Sequence, residues 1–443
     1  MALPFGMLHQ PAIAFALLAF IAVMLGGCGD KNPAGPNPPP SDSTGPVPRE
    51  IASLSSTNAF GDNSSQAASI SEDGRYVAFQ TQAANLVPDD TNGTTDVYVR
   101  DLIARTTVRV SVASYGRQSV GWVSRPHISG NGRYVAFYSS AGDLDPNSAP
   151  HGGVFIHDLQ TRETTLVRAG MVILNMGHAI SDDGRYLAVY GQDPSANYRN
   201  AILRIDRQGG PDKVASVTYN GSAPDGYFVY GSLSGDGRRI AFSTASSNIL
   251  PDGNGGSAQI YLRDFAAETT TRLSKADGGG PASGESSFVD LSNDGSIAAF
   301  ASGAPLTSDD TNGVLDIFVC TIATGALTRV SETSTGGQAT LDSVGPALSG
   351  DGRYIGFYSR ASELVDPDGY DHILVHDRLT HGLRQVTLPR KAGRSSGGIH
   401  PALSNRAAFV AFESLSIDMV VPSDANMNIS HIFVFPTVPV GSG

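Results

Sequence analysis

Short apolar runs, separated by polar loops rich in Ser, Asn and Gly, repeat along most of the chain. The clearest of them follows the pattern Ser-x-Asp-Gly-Arg-Tyr-x-Ala-Phe and recurs about every 55 residues, a period typical of repeat proteins. Recognisable copies begin at Ser71, Ser129, Ser181, Ser234, Ser292, Ser349 and Ser404. In the last copy Arg406-Ala407 replaces Asp-Gly. The pattern therefore predicts seven copies of one structural unit.

The alternation of apolar and polar residues predicts four short strands, A to D, in each unit, and no segment has a helical period. Asp-Gly makes the A–B hairpin turn, because Asp closes the turn with its side chain and Gly accepts a positive φ. Strand B is the Tyr-x-Ala-Phe stretch, strand C is an alternating run such as 96–102, and strand D is a β-rich run such as 107–111. Four antiparallel strands repeated seven times predict an all-β, seven-bladed β-propeller.

The two ends of the repeat region complement each other. The last unit ends after its strand C, Ile432-Phe433-Val434-Phe435, and supplies no strand D. Residues 49–55 precede the first motif at the spacing of a strand D. We therefore expect the N-terminal strand to complete the last blade and close the ring, because this pairs an otherwise exposed strand edge.

The repeated motif, together with strands of the Asp-Val-Tyr-Val-Arg-Asp-Leu type at 96–102, 260–265 and 373–377, resembles the WD-repeat-like propeller repeat of the TolB family. The resemblance spans about residues 49–435 and implies the propeller fold. Similar propellers are periplasmic protein-binding modules, non-catalytic domains of serine peptidases, and lyases acting on uronic-acid saccharides. The resemblance is therefore specific for the fold and not for one function.

Residues 1–48 differ in composition from the repeats. Ala12–Gly27 is an unbroken apolar run, which has the length of a signal-peptide core and is too short for a membrane span. It ends in Leu25-Gly26-Gly27-Cys28, which resembles the lipobox of bacterial lipoproteins and implies a lipid on Cys28. Seven prolines in 29–48 then favour an extended tether. The predicted domains are a signal peptide (1–27), a lipidated Cys with a Pro-rich tether (28–48), the propeller (49–437) and a tail (438–443).

Localisation follows from these features. They predict secretion across the inner membrane and a lipid anchor on the periplasmic side or at the cell surface. Gly29 stands where an Asp would resemble an inner-membrane retention signal, which favours the outer membrane. With Cys28 lipidated, Cys320 is alone, so no disulfide is expected, and its apolar neighbours predict a buried, inert thiol.

Composition restricts the partners. The chain has 30 basic and 42 acidic residues and a net charge of −12, whereas nucleic-acid binding requires a basic surface. Nucleic acid is therefore excluded, and we expect a monomeric ring. Successive strand connections alternate between the two faces of the ring, so the long B–C and D–A loops share one face, here called the long-loop face. The A–B and C–D turns share the opposite, tight-turn face. Because loops on a rigid scaffold commonly carry recognition, we expect ligand binding at the long-loop face.

Two aromatic residues, Tyr115 and Trp122, lie in the first D–A loop. Exposed there, they would suit contact with a peptide or a sugar. Packing against the adjacent blade is the alternative.

Polar residues also stand in strand A, which is predicted to be innermost. Within two to four residues before the motif Ser lie Arg125, His127, His178, Tyr230, Asp290 and His400. Side chains there can face the central channel, where three His and an Asp could bind a metal or an acidic saccharide. They occupy different heights and blades that are not all neighbours, which argues against one shared site.

Two loops carry clustered oxygen ligands that would suit calcium. They contain Asp89, Asp90, Asn92 and Asp96 in the first repeat, and Asp309, Asp310, Asn312 and Asp316 in the fifth. The spacing fails to match an EF-hand, because the first and twelfth ligand positions lack oxygen side chains of the required type. The alternative is an Asx-stabilised loop that leads into strand C.

A third set of polar residues precedes an Asp near the end of strand C. It comprises Arg100, His157, Arg263 and His376. Recurrence at one strand position in four blades indicates architecture, and we expect the following Asp to accept backbone hydrogen bonds in the C–D turn.

Together these features predict a membrane-tethered binding or scaffolding propeller of the cell envelope, which engages protein or cell-wall glycan ligands through its long-loop face. The alternative is a polysaccharide-active lyase or hydrolase that uses the channel His and acidic residues. No catalytic residue is assigned, binding is favoured over catalysis, and no cofactor is expected apart from the calcium considered above.

Overall fold

The computed structural model describes residues 49–146, 152–174, 177–193, 198–276, 278–333, 335–365, 369–387, 397–415 and 429–437. The signal peptide, Cys28, the tether and the tail at 438–443 lie outside these residues, and their assignments stay predictions. Within the described ranges, no helix has the length and apolar character needed to cross a membrane.

Each of seven sheets contains four antiparallel strands. In chain order the strands are β1 (Glu50–Ile51), β2 (Ser65–Ile70), β3 (Tyr76–Thr81), β4 (Asp96–Asp101), β5 (Thr106–Arg109), β6 (Val123–Ile128), β7 (Tyr134–Ser139), β8 (Gly153–Asp158), β9 (Thr164–Ala169), β10 (Val172–Ile173), β11 (Tyr186–Asp193), β12 (Tyr198–Asp206), β13 (Lys213–Val214), β14 (Phe228–Leu233), β15 (Arg239–Thr244), β16 (Gln259–Asp264), β17 (Thr269–Arg272), β18 (Ser286–Leu291), β19 (Ile297–Ser302), β20 (Asp316–Thr321), β21 (Ala326–Arg329), β22 (Ser343–Leu348), β23 (Tyr354–Ser359), β24 (His372–Asp377), β25 (Gly382–Gln385), β26 (Ile399–Leu403), β27 (Phe409–Ser414) and β28 (His431–Pro436). Blades one to six are β2–β5, β6–β9, β10–β13, β14–β17, β18–β21 and β22–β25, and blade seven is β26–β28 with β1. The prediction of a seven-bladed, all-β propeller is confirmed.

The N-terminal strand closes the ring, as predicted. β1 pairs antiparallel with β28 through Glu50 opposite Val434 and Ile51 opposite Phe433. Ile51 is only 2% exposed and belongs to the apolar core of blade seven. The strand therefore supplies both the outer edge of the last blade and part of its core.

The repeated motif folds the A–B turn through its own side chains. In blade one the Ser71 hydroxyl donates to Oδ1 of Asp73 at 2.6 Å. That same oxygen accepts the backbone N–H of Arg75, and Oγ of Ser71 accepts the backbone N–H of Tyr76. Ser and Asp therefore satisfy the backbone donors of the hairpin, which explains why both recur.

The Asp at the end of strand C organises the neighbouring turn. Oδ1 of Asp101 accepts the backbone N–H groups of Ile103 and Ala104, each at 2.9 Å. The motif residue Arg75 forks onto the same carboxylate at 2.7–3.1 Å. Equivalent turn contacts are made by Asp158, Asp264 and Asp377. The architectural interpretation of this position is confirmed, and the motif Arg is added as its partner.

The motif Gly and Tyr form the contact between blades. Gly237 has a φ of +68°, and a Cβ at that position would lie 2.1 Å from Cδ2 of Tyr186 in the preceding blade. Gly132 and Gly184 pack in the same way on Tyr76 and Tyr134. Glycine is therefore required for two reasons: the backbone has a positive φ, and the tyrosine ring leaves no room for a side chain. Ala407 takes the equivalent position in blade seven at a φ of +46°.

The A–B turns are joined into a closed circle around the ring axis. Backbone N–H to O=C bonds of 2.8–3.2 Å link each turn to the next one. They run from Glu72 to Gly130, Asn131 to Asp182, Asp182 to Gly235, Asp236 to Asn293, Asn293 to Gly350, Asp351 to Asn405 and Asn405 to Glu72. The tight-turn face is therefore held together by hydrogen bonds that pass through every blade.

Candidate functional site

A β-bulge interrupts the first strand of most blades four residues before the motif Ser. The pairing register shifts there in six blades. The residue at this position has a φ between +52° and +64° in Ala67, Arg125, Gly177, Phe288, Gly345 and His400. Non-glycine residues in this region cost about 1–3 kcal/mol each and cluster at functional sites. Sequence reasoning missed the bulge, although the glycines of repeats three and six mark it.

The first strands enclose a central cavity of about 370 Å³. Five of the six residues predicted to face the channel line it, namely Arg125, His127, His178, Asp290 and His400. Gln66 and Glu413 also line it and were not predicted. Glu413 lies in strand B, where the only sequence signal is a charge at a position that is neutral in the other blades. The structure thus brings together side chains that are far apart in the sequence.

The cavity is closed toward the tight-turn face. The next space along the axis has only about 10 Å³ and is lined by Glu72, Asp182 and Asn293, among others. Nδ2 of Asn293 donates to Oε1 of Glu72. Burial raises the pKa of Asp182, and the neighbouring carboxylate of Glu72 raises it further. These side chains and the circle of turns form a floor, so the cavity opens at the long-loop face.

Arg125 reaches the cavity from blade two. Its backbone N–H donates to Oε1 of Gln80 at 2.9 Å, which fixes the bulge against blade one. One guanidinium nitrogen donates to the carbonyl oxygen of Ile173 at 3.2 Å. Within the described residues, Arg125 has no carboxylate at ion-pair distance. Burial lowers the pKa of Arg125, but a guanidinium remains charged in proteins.

His400 and Glu413 form a pair in blade seven. Nδ1 of His400 lies 3.2 Å from Oε1 of Glu413, which also accepts the backbone N–H of Ala67 at 2.7 Å. An ionised carboxylate only accepts, so Nδ1 carries the proton. This contact orients the imidazole, and the ring of Tyr358 packs edge-on against it at 5.8 Å. The arrangement leaves Nε2 available as a base or an acceptor.

His178 and Asp290 join blades three and five across the cavity. Their Nδ1 and Oδ1 atoms lie 3.2 Å apart. Asp290 also accepts the Ser232 hydroxyl at 2.8 Å and the backbone N–H of Leu348 at 2.8 Å. Burial alone would lower the pKa of His178, but the Asp290 carboxylate raises it. Burial would likewise raise the pKa of Asp290, but the charge of His178 and the donated hydrogen bonds lower it.

We expect Asp290→Asn to destabilise the ring by about 2 kcal/mol, because it leaves the partly buried His178 cation without its partner, and solvent screens part of that cost. The folded pKa of His178 is raised to about 9, so its contribution is full below the unfolded pKa of about 6.5 and is lost as the pH rises through about 9. The loss in the variant should therefore be largest near pH 6 and smaller at pH 9, as measured by urea unfolding. An equal loss at both pH values would contradict a charged pair.

His127 differs from the other two channel histidines. Its Nε2 atom lies 3.2 Å from the carbonyl oxygen of Leu174, and the side chain is buried. Burial, and then the charge of His178, lower the pKa of His127 to about 4. It is therefore neutral near pH 7, with Nε2 as the donor.

Tyr230, the sixth predicted channel residue, lies outside the lining of the central cavity. Its ring stacks on Phe288 of blade five with centroids 4.3 Å apart. Phe288 is one of the residues with a positive φ, at +56°. The bulge position of blades four and five thus carries an aromatic pair, whereas blades two and seven carry Arg125 and His400 there.

Exposed apolar side chains are concentrated on the long-loop face. Among the described residues, those in D–A or B–C connections are Tyr115, Val120, Trp122, Tyr219, Tyr227, Leu341 and Leu415. Ile103 and Leu379 are exposed in C–D turns, and Val108 is exposed in β5. Trp122 contacts Tyr138 of the next blade at 5.1 Å and still exposes 54% of its surface. Tyr115 is 65% exposed.

The two loops considered for calcium have protein partners for their oxygens. Oδ1 of Asn92 accepts the N–H of Thr94, and its Nδ2 donates to Oδ2 of Asp96. Arg109 pairs with Asp89 and Asp90. In blade five Asn312, Asp316, Asp309 and Asp310 repeat these contacts, with Arg329 as the cation. Among the described residues, no group of three or more His, Cys, Asp or Glu side chains is placed to hold a metal. The contacts are those of an Asx-stabilised loop, and calcium stays a prediction.

Cys320 is buried in β20, as predicted. Burial raises the pKa of its thiol to about 11. The thiolate is therefore scarce near neutral pH, and an unreactive thiol follows.

Fold and site define a β-propeller with a blind central cavity, which is lined by charged and apolar side chains and opens at the long-loop face. No protein-family profile matches the chain, and no curated protein matches it. An oligogalacturonate lyase in complex with manganese is similar in structure at 11% identity and a TM-score of 0.52, over 88% of this chain and 96% of that one. A prolyl endopeptidase is similar at 13% identity and a TM-score of 0.51, over 86% of this chain and 50% of that one.

TolB from Acinetobacter baumannii is similar at 17% identity and a TM-score of 0.43, over 75% of this chain and 67% of that one. The likeness to the lyase and the endopeptidase shows a shared propeller fold and nothing finer.

Proposed function

We propose that this chain is a binding propeller of the cell envelope, which captures a protein ligand with its long-loop face. The observation that carries the proposal is the unequal distribution of exposed large apolar side chains: among the described residues, seven lie in the long B–C and D–A loops and two in the C–D turns. Exposed apolar side chains gathered on one face commonly mark an interaction site, and Trp and Tyr are enriched at binding hot spots. Arg–Asp pairs occur on both faces, for example Arg75–Asp101 on the tight-turn face and Arg109–Asp89 on the long-loop face, so the exposed apolar side chains distinguish the two faces.

The place of this binding is proposed from the N-terminal sequence. The apolar run Ala12–Gly27 and the lipobox-like Leu25–Cys28 support secretion and a lipid anchor. The Pro-rich residues 29–48 would separate the ring from the membrane. A protein ligand of the envelope is then within reach, and a cell-wall glycan is the other ligand class that this location offers.

We expect the double variant Val120→Ser, Trp122→Ala to weaken capture of an envelope protein by about 30-fold, because a central Trp is commonly worth about 2 kcal/mol. The measurement is affinity capture from envelope extract with the soluble fragment 47–443, followed by titration of the captured protein. The matched control is Ile103→Ser, Leu379→Ser on the tight-turn face, which should leave capture unchanged. Loss of capture in the control alone would refute the proposed face.

A polysaccharide-active lyase or hydrolase is the second candidate function. It is favoured by the His400–Glu413 pair at 3.2 Å, which lies in the same cavity as Arg125 and His127. A His oriented by a carboxylate can act as a general base, and a cationic neighbour can stabilise a developing negative charge. Turnover of polyuronates that is lost in His400→Ala and in His127→Ala would establish catalysis in place of binding.

A further inference from the structure

The cavity admits a ligand from one side only. Its floor is formed by the circle of A–B turns together with Glu72, Asp182 and Asn293. A chain that enters from the long-loop face therefore cannot pass through the ring. A polymer end fits a blind cavity, whereas a continuing segment would have to turn back within about 370 Å³.

Arg125 is the cation in this cavity that has no anionic partner among the described residues. Its guanidinium uses one donor on the carbonyl oxygen of Ile173. The carboxylates nearby are engaged, since Asp290 pairs with His178 and Glu413 with His400. A half-buried guanidinium with free donors matches the planar geometry of a carboxylate, which it binds in a bidentate manner.

The backbone of Arg125 is held in a costly conformation. Its φ is +55°, and Gln80 of the neighbouring blade accepts its N–H at 2.9 Å. Such strain costs about 1–3 kcal/mol and persists where the surrounding structure imposes it. The bulge changes the direction of the side chain at this strand position, as bulges beside functional sites commonly do.

Glu413 supplies an acceptor in the same cavity. Its Oε1 atom is occupied by the N–H of Ala67 and by His400. Its Oε2 atom has no donor among the described residues. Arg125 in blade two and Glu413 in blade seven thus offer free donors and a free acceptor on either side of blade one. The end of a peptide carries the complementary groups, a carboxylate and an amide N–H.

Resting on the proposed function, we infer that the central cavity receives the C-terminal end of a partner polypeptide. The terminal carboxylate pairs with Arg125, and the last peptide N–H donates to Glu413. The cavity continues into an open groove of about 390 Å³ that shares Gln66 and Glu413 with it and exposes Leu415. Aliphatic contacts of this kind favour a peptide over a saccharide as the occupant.

The test uses the full chain, purified in detergent, and a pool of fluorescein-labelled hexapeptides that vary at their last four positions. A second pool is identical but amidated at the C-terminus. We expect the free-acid pool to bind at least tenfold more tightly by fluorescence anisotropy. Arg125→Ala should remove that difference, and Arg125→Lys should retain part of it. Arg406→Ala, an exposed arginine in the A–B turn of blade seven on the tight-turn face, should bind like the wild type.

Arg125→Gly guards against loss of the fold, because glycine keeps the positive φ without strain. It should melt no lower than the wild type and should still lose the preference for the free acid. Equal binding of the two pools, or an unchanged preference in Arg125→Gly, would overturn the inference. So would Arg125-dependent binding of trigalacturonate with no binding of either pool. Capture of an envelope protein that depends on Trp122 but not on Arg125 would support the proposed function and would refute only the recognition of a terminal carboxylate.

Discussion

Deletion of residues 49–55 is expected to remove most of the cooperative stability of the ring. This segment supplies β1 and places Ile51 and Ala52, both almost fully buried, between the cores of blades seven and one. Ser53 Oγ accepts the backbone N–H of Ile432, and the carbonyl oxygen of Ser55 accepts a hydrogen bond from Arg100 at 3.0 Å. Without the segment, the edge of β28 loses its paired strand, and the fully buried Arg100 loses one of its three hydrogen-bond acceptors.

The cost should be about 5 kcal/mol or more, since one buried Ile contributes about 2–5 kcal/mol and each hydrogen bond about 1 kcal/mol. That is a large fraction of the roughly 5–15 kcal/mol by which folded domains are stable. Differential scanning calorimetry should show a lowered and broadened transition. Deletion of 29–46, which removes most of the Pro-rich tether, should leave the transition unchanged. Identical melting temperatures for the two deletions would rule out the closing role of β1.

The second large effect is expected from Gly237→Ala. The new Cβ would meet the Tyr186 ring at 2.1 Å, and the backbone φ of +68° disfavours any L-residue. Tyr186 cannot move away easily, because the guanidinium groups of Arg185 and Arg204 lie over its ring at 4.7 and 4.4 Å. Left-handed strain of about 1–2 kcal/mol and overpacking of about 1–3 kcal/mol should lower the free energy of unfolding by about 3 kcal/mol.

Gly325→Ala is the matched control for this substitution. Gly325 has a φ of +69°, and a Cβ there would meet nothing within 4 Å. It should therefore cost only the backbone strain, about 1–2 kcal/mol. Denaturant unfolding of both variants therefore separates the cost of the backbone strain from the cost of the contact with Tyr186. If Gly237→Ala proves no worse than Gly325→Ala, the contact between motif Gly and Tyr does not hold the blades together.

The fold was predictable because its signal is repeated seven times. Asp-Gly predicted the A–B turns, and the missing strand D of the last unit predicted the role of residues 49–55, both of which the structure confirms. These features depend on local chemistry. An A–B turn requires particular residues within the turn, and an exposed strand edge requires a strand to pair with it. The motif Arg was not assigned to Asp101, because that contact depends on how two successive hairpins twist toward each other.

The candidate site was predictable only in part. The polar residues of strand A were recognised, but their gathering onto one cavity was not, because the blades that carry them meet only when the ring closes. The bulge escaped notice because it appears in the sequence as two glycines, Gly177 and Gly345, in a glycine-rich chain. Glu413 was missed because it lies in strand B and reaches the cavity across the interface with blade one. Contacts between blades, such as that of Glu413 with Ala67, form only when the ring is closed and therefore have no local signal in the sequence.

The position of β1 also determines at which face of the ring the chain enters. Oε1 of Glu50 lies 3.7 Å from Nε of Arg105, in the C–D turn of blade one, so the chain joins the ring at its tight-turn face. The cavity opens at the opposite face. The point where the chain enters the ring and the mouth of the cavity therefore lie on opposite faces. A partner that enters the cavity thus meets the long loops first and stays clear of the Glu50–Arg105 pair on the other face.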